Sequence, residues 1–328
     1  MTTGNTHSQT IEKFRETINS IIRGEDNRLL IIVGPCSIHS KEEALEYATL
    51  LKQEQEKYKD TLFFVMRTYF QKPRTTIGWE GFSVDPYLDS SYQFEGGIKF
   101  CQEICEELTK LDIPLADEAL NMELTDKWKY YLSYAALGAR NSEDQNMRKY
   151  CSNLPCPVGV KHPRSGNLED GVNSILSVQH SNHKLFYKNS LVQSRGNAFA
   201  HIILRGSKQS SNLNKESVLK VQELYKKHNI SNPAIICDLS HDNSVDENGN
   251  KFAQNQITNA QIVKELQQIF PQLIRGVMIE SHINHGKQPI QSYDKLKKGV
   301  SITDECISFE QTQEIFEILS RNQLNKSV

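Results

Sequence analysis

The chain has 328 residues, 38% of them hydrophobic, enough to bury a sizeable core as one large domain or two ordinary ones. Its 38 Lys and Arg nearly balance 40 Asp and Glu, and a net charge of -2 supplies no global field to draw it onto nucleic acid or anionic lipid, so any phosphate binding has to be local. No stretch approaches the roughly 20 apolar residues of a membrane helix, and Met1 to Thr10 is polar rather than a signal sequence, so the chain reads as cytoplasmic with no nucleic-acid or membrane partner. The seven cysteines (Cys36, Cys101, Cys105, Cys151, Cys156, Cys237, Cys306) are odd in number and lack the paired spacing of a zinc ribbon or disulfide framework; free thiols are expected.

In chain order, a helix is predicted near Ile11–Arg23, inside an N-terminal extension of residues 1–27. Apolar, β-branched runs bounded by turn residues then predict strands at Leu29–Val33, Phe63–Thr68, Leu115–Glu118, Tyr134–Leu137, Pro157–Lys161, His201–Arg205, Ala234–Leu239 and Gly276–Glu280. Helical spacing marks Glu42–Tyr58, Ile98–Leu111, Glu216–His228, Asn259–Ile269 and a closing helix at Phe309–Ser320. Continuous apolar runs are what strands covered on both faces look like. Eight of them favour an α/β fold of the (β/α)8 TIM-barrel type over an open sheet. No linker or composition shift divides residues 1–328, so one domain is expected. The stretch around Ser181–Asn197, before the sixth strand, predicts a small inserted hairpin.

Barrel chemistry gathers at the carboxyl ends of the strands. There the chain places Cys36, Arg67, Glu118, Arg140, Lys161, Arg205, His241 and Glu280, one for each strand in order. Arg67, Arg140, Lys161 and Arg205, with Lys72 and Arg74 just beyond the second strand, form a cation set suited to phosphate and carboxylate, and the largely apolar or small flanking residues offer them few acidic partners. Cys36, His241 and Glu280 come from the first, seventh and eighth strands, which adjoin when a barrel closes, and Asp304 lies in the loop after the eighth. Thiolate, imidazole and two carboxylates suit a divalent transition metal such as Mn, Fe, Co or Zn. His39, His282 and His285 lie close by and read as supporting or surface residues. Glycine-rich nucleotide fingerprints and a G-x-S-x-G elbow are absent.

Long ordered segments carry a resemblance: Gly34-Pro35-Cys36-Ser37-Ile38-His39, Met66 to Trp79 with its Lys72-Pro73-Arg74-Thr75-Thr76, Gly138-Ala139-Arg140, His201 to Gly206, Asp238-Leu239-Ser240-His241, Gly276 to Ser281 and Ser301-Ile302-Thr303-Asp304. Together they closely resemble the type I, aromatic-pathway class of 3-deoxy-D-arabino-heptulosonate 7-phosphate synthases. The resemblance implies condensation of phosphoenolpyruvate with erythrose 4-phosphate on a metal-dependent barrel, assembled as a homodimer or homotetramer. It implies Cys36, His241, Glu280 and Asp304 as metal ligands, and Arg67, Lys72, Arg140, Lys161 and Arg205 on phosphoenolpyruvate. Arg74 and Thr75 are implied on the sugar phosphate, Glu118 and Ala139 as further substrate contacts, and Lys72 or a metal-bound water as the proton source.

The chain departs from that family in places. Lys161-His162 replaces the usual Lys-Asn, and Pro163-Arg164-Ser165-Gly166 replaces Gly-Thr-Asp-Gly, changes expected to alter the pocket for the aldose. A related synthase using another phosphorylated aldose, and a catalytically silent homologue, are the alternative readings. Feedback-inhibited members carry a longer N-terminal arm, whereas fewer than thirty residues precede Arg28 here, and Ser181–Asn197 departs from the family's aromatic amino acid pocket. Weak or absent inhibition by Phe, Tyr or Trp is therefore expected.

Overall fold

The computed structural model describes residues 3–181, 184–246 and 249–321. Five strands, β1 (Leu29–Gly34), β2 (Leu62–Arg67), β3 (Leu115–Glu118), β4 (Leu132–Leu137) and β5 (Val158–Lys161), precede a hairpin of β6 (Lys184–Tyr187) and β7 (Ser190–Gln193). Three more follow: β8 (His201–Leu204), β9 (Ile235–Asp238) and β10 (Ile274–Glu280). The helices are α1 (Thr3–Arg23), α2 (Lys41–Lys57), α3 (Phe94–Lys110), the single turn α4 (Met122–Thr125), α5 (Gln145–Cys151), α6 (Leu168–Gln179), α7 (Lys215–Lys227), α8 (Asn255–Ile269) and α9 (Phe309–Ser320). The eight strands outside the hairpin close, all parallel, in the order β1-β10-β9-β8-β5-β4-β3-β2, which is the (β/α)8 barrel the apolar runs predict. β6 and β7 pair antiparallel within the expected insertion.

Helix starts follow local chemistry. Ser40, Asn121, Asp144, Asn167 and Asn214 each accept a first-turn amide hydrogen bond, and Ser308 with Gln311 forms a capping box on α9. The extension does more than precede the barrel. Ile18, Ile21 and Ile22 sit at helical spacing on α1 and are buried with Leu30, Ile32, Val65, Ala116, Tyr134, Ala136, Ile203, Ile236 and Met278, the inward-facing residues of the strands. α1 thus stops the amino-terminal mouth of the barrel with aliphatic side chains, each contributing about 1.5–3 kcal/mol of burial. Buried Arg15 ties the plug down by donating to the Leu132 and Tyr130 carbonyls at 2.9 and 3.1 Å.

Tyr134 and His201 pair inside the barrel. The Tyr134 hydroxyl lies 3.0 Å from His201 Nε2, and His201 Nδ1 lies 2.8 Å from the Phe199 carbonyl. Gly159 makes room for that hydroxyl, since a Cβ there would stand 1.9 Å from it. Burial holds His201 at a pKa of about 4, below the ordinary 6.5. The unfolded chain therefore binds a proton that the fold refuses between pH 6.5 and about 4, so this contribution to stability is complete above 6.5 and lost as pH falls through that window. Thermal melts should show Tm declining between pH 6.5 and 4, with a shallower decline in His201→Gln; an equal slope in the variant would contradict the role given to His201.

Candidate active site

The carboxyl ends of the strands surround a cleft of about 270 Å³. Nine residues singled out from sequence line it: Lys72, Arg74, Glu118, Ala139, Arg140, Lys161, Arg205, His241 and Asp304. Thr75 stands at its rim, where its Oγ1 accepts from Arg140 Nη2 at 3.0 Å. Cys36, Arg67 and Glu280 lie beneath the floor, fully buried. Arg67 is accordingly absent from the lining: its Nη2 donates to Glu280 Oε1 at 3.1 Å, its Nε to the Pro35 carbonyl at 3.3 Å, and its guanidinium stacks 3.9 Å from the centre of the Tyr69 ring.

The adjacency of β1, β10 and β9 brings the mixed-donor group together. Ligand atoms of Cys36, Glu280 and Asp304 all lie within 4.8 Å of one another. Hydroxyls of Ser37 and Thr303, next to Cys36 and Asp304, meet at 2.8 Å and fasten the two loops. His241 stands at the edge of this trio, its Nε2 3.8 Å from Glu280 Oε1 and 3.3 Å from Lys161 Nζ, while its Nδ1 faces Asp238 Oδ2 at 2.8 Å. Its backbone is left-handed, with φ of 49°, a strained conformation for a residue with a side chain. The turn is fixed by Asp238 Oδ1, which accepts from Ser240 N at 3.0 Å, and by Asn243 Nδ2, which donates to the Asp238 carbonyl at 2.8 Å. A thiol, two carboxylates and an adjacent imidazole whose other nitrogen is oriented by a carboxylate are a donor set that fits a divalent transition metal. Two ammonium groups also touch it. Lys72 Nζ donates to Cys36 Sγ at 3.1 Å and to the Cys36 carbonyl at 3.0 Å, and Lys251 Nζ donates to Glu280 Oε2 and lies 3.8 Å from Asp304 Oδ2.

On the other side of the cleft, cations face each other. Both Arg140 and Arg164 donate to Thr75 Oγ1, Arg164 at 3.4 Å. Burial lowers the Arg140 pKa, and the like charges of Arg164 and Arg205 lower it further, partly opposed by Glu118. Glu118 reaches the wall by passing under Gly138, where a Cβ would stand 1.8 Å from its Oε1. The inner cations are better neutralised than their flanking residues suggest. Arg205 pairs with Asp242, Arg67 with Glu280, and Lys161 lies 3.8 Å from Asp238. Those carboxylates come from other strands, so reading one segment at a time misses them. Burial pushes the Asp238 carboxyl up, but the facing His241 and Lys161 hold it down at about 2. Burial likewise lowers the Lys161 pKa, with Asp238 and Glu118 opposing.

The departures after β5 act in two ways. His162 turns away from the cleft: its Nε2 lies 2.7 Å from Asn212 Nδ2 and accepts from Arg205 N at 3.2 Å, bracing the backbone of Arg205. Arg164 does enter the cleft lining, as do Asp242 and Lys251. All three went unassigned from sequence, although Arg164 stands inside the segment noted as divergent. His39 and His282 flank Glu43, each Nε2 3.3 Å from its Oε2, as a supporting group off the cleft, and His285 is partly exposed.

The family model described as the DAHP synthetase I family matches residues 7–317. A phospho-2-dehydro-3-deoxyheptonate aldolase of Haemophilus influenzae is 36% identical over 315 residues, covering 94% of this chain and 85% of that protein. A Tyr-sensitive enzyme of that name from Salmonella typhimurium is 38% identical, covering 92% and 84%. A Phe-sensitive one from Escherichia coli is 36% identical, covering 95% and 89%. The solved phospho-2-dehydro-3-deoxyheptonate aldolase of Francisella tularensis superposes with a TM-score of 0.90 at 35% identity, covering 96% of this chain and 91% of that one. With the matched segments assembled around one cleft and likeness along nearly its whole length, this chain belongs to the DAHP synthetase I family.

Proposed function

We propose that the chain condenses phosphoenolpyruvate with erythrose 4-phosphate, releasing inorganic phosphate and forming 3-deoxy-D-arabino-heptulosonate 7-phosphate, the first step of the shikimate pathway. One observation carries this reading: a single cleft sets Arg140 and Arg164, for which no carboxylate ion pair is found among the described residues, opposite a thiol, carboxylate and imidazole group. We propose further that it works as one barrel domain in a cytoplasmic homodimer or homotetramer; the exposed Phe186 and Leu191 of the hairpin support association.

In this reading Lys161, Arg205 and Arg140 hold the phosphate and carboxylate of phosphoenolpyruvate, with Lys72 at their inner end and Arg67 supporting from beneath. Arg74, Thr75 and Arg164 take the aldose phosphate at the rim; Arg74 is aimed by donating from Nε to the Trp79 carbonyl at 2.7 Å. Glu118 and the backbone at Ala139 complete the wall. A divalent ion held by Cys36, His241, Glu280 and Asp304 supplies, when bound, the polarisation of the aldehyde oxygen. The residues do the rest. The cations orient C3 of phosphoenolpyruvate toward the aldehyde carbon, so that a carbon–carbon bond forms as the carbonyl pair moves onto oxygen. Lys72 Nζ delivers the proton to that oxygen. Water adds at C2, and Lys161, Arg140 and Arg205 stabilise the charge that grows on phosphate as its bond to C2 breaks.

Purified protein with Mn should release phosphate from phosphoenolpyruvate and erythrose 4-phosphate, and chelator or Cys36→Ala should abolish release. Release only with another phosphorylated aldose, no release at all, or a fully active Cys36→Ala enzyme would each contradict this reading. Weak or absent inhibition by Phe, Tyr and Trp is also proposed, supported by the divergent hairpin segment and opposed by the relatives' names; strong inhibition by any one in the same assay would overturn it.

Arg164 gives a second prediction. Removing one of the cations that share Thr75 should raise the KM for erythrose 4-phosphate roughly ten- to a hundredfold in Arg164→Ala, with little change in the KM for phosphoenolpyruvate, because a charge-assisted hydrogen bond contributes about 1.5–3 kcal/mol. Steady-state kinetics with each substrate varied check it; an equal rise for both would place Arg164 elsewhere.

A further inference from the structure

Lys251 has no part in the reaction just described, yet its ammonium reaches the heart of the metal group. It lies in the segment after His241, where Val245 and Lys251 form a short antiparallel bridge, Phe252 N donates to the Ser244 carbonyl at 2.8 Å and Ala253 N donates to Glu305 Oε2 at 2.7 Å, one residue from Asp304. This anchoring holds the Lys251 backbone in place and leaves the four-carbon side chain as the movable part. The side chain is about four-fifths buried, lines the cleft and ends on Glu280 Oε2, 3.8 Å from Asp304 Oδ2. Glu280 is wholly buried, and its other partners are already in place: Arg67 Nη2 at 3.1 Å and Ser240 Oγ at 2.8 Å. Two carboxylates and one ammonium therefore share the space in which the proposed ion would have its oxygen ligands.

We propose that Lys251 is a tethered counter-ion that holds Glu280 and Asp304 in the metal-free protein, and that a divalent ion must displace its ammonium into the cleft in order to bind. In the exchange the carboxylates pass from the ammonium, which keeps its proton, to the metal; the Cys36 thiol gives up its proton to solvent as it becomes a thiolate ligand; and the freed ammonium adds to the cations that face the phosphates. Lys251 is then a positioning residue that sets metal affinity and keeps the ligand carboxylates arranged before metal arrives. The inference rests on the metal reading above.

The test compares wild type with Lys251→Met, which keeps the stem and removes the charge. Mn(II) affinity is measured on the full chain by competition with a chromogenic chelator, and thermal melts are run in chelator and in saturating Mn(II). The variant should bind Mn(II) at least about tenfold more tightly, because no ion pair has to be broken first. Its Tm should lie below wild type in chelator, where Asp304 loses its ion pair and Glu280 one of its partners, and approach wild type in Mn(II). Equal or weaker Mn(II) binding by the variant overturns the role of Lys251 while leaving the metal reading intact. Failure of both proteins to bind Mn(II), or binding undiminished by Cys36→Ala, overturns the metal reading and this inference together.

Discussion

The site depends on one buried carboxylate. Glu280 ends β10 with no exposure, and an ionised carboxylate in that position is tolerated only with several compensating partners. They come from all around the barrel: Arg67 from β2, Ser240 and His241 from the turn after β9, Lys251 from the segment beyond. Burial pushes the Glu280 carboxyl up, and Lys251, His241, Arg67 and Lys72 together hold it well below the usual carboxylate range. Satisfying this one charge draws on the Arg67 guanidinium that stacks on Tyr69 and on the turn that carries Ser240 and His241. The backbone is clamped to it as well, since Gln256 donates to the Glu280 carbonyl and accepts from its amide, both at 2.9 Å.

Around that centre the charges are graded. The deep cations Arg67, Lys161, Arg205 and Lys251 each face a carboxylate and Lys72 rests on the Cys36 sulfur and carbonyl, so the side chains of the floor are held in place. Toward the rim the matching stops: Arg140 and Arg164 meet over a threonine hydroxyl, and no ion pair with a carboxylate is found for either among the described residues. A nearly neutral chain can thus present a strongly anion-seeking cleft. In the proposed function the paired floor supplies rigidity, and the unpaired rim supplies the attraction for a phosphorylated ligand.

How much of this could be read in advance follows from where the information lies. Strands buried on both faces announce themselves as apolar runs, and residues at the end of each run or just beyond it gather at the mouth, so the barrel and eight of the cleft residues are legible from placement, with Ala139 implied by the family resemblance. The closing helix, Phe309–Ser320, is legible from its apolar spacing, and the structure caps it with Ser308 at that start. α5 and α6 were not assigned, because α5 is only seven residues long and α6 carries Gly171 and Ser174 on its buried side, which blur the apolar stripe. Arg67 reads as a ligand contact at its strand end, and only the closed barrel shows it committed to Glu280. Asp238 stands within a motif but does not read as a partner there, and Asp242 is not singled out, because pairing across strands is a property of closure. Lys251 follows His241 by ten residues in a polar segment with no periodic signal, and only its anchoring to Ser244 and Glu305 brings it back to the site.

The central claim is that the protein's own ion pairs assemble the anion-binding cleft before any metal is present. Calorimetric titration of phosphoenolpyruvate into the full chain in chelator, repeated at rising salt, tests this most directly. The account predicts measurable binding without metal, weakening steadily as salt increases and lost in Arg205→Ala. Absence of binding until Mn(II) is added would contradict it.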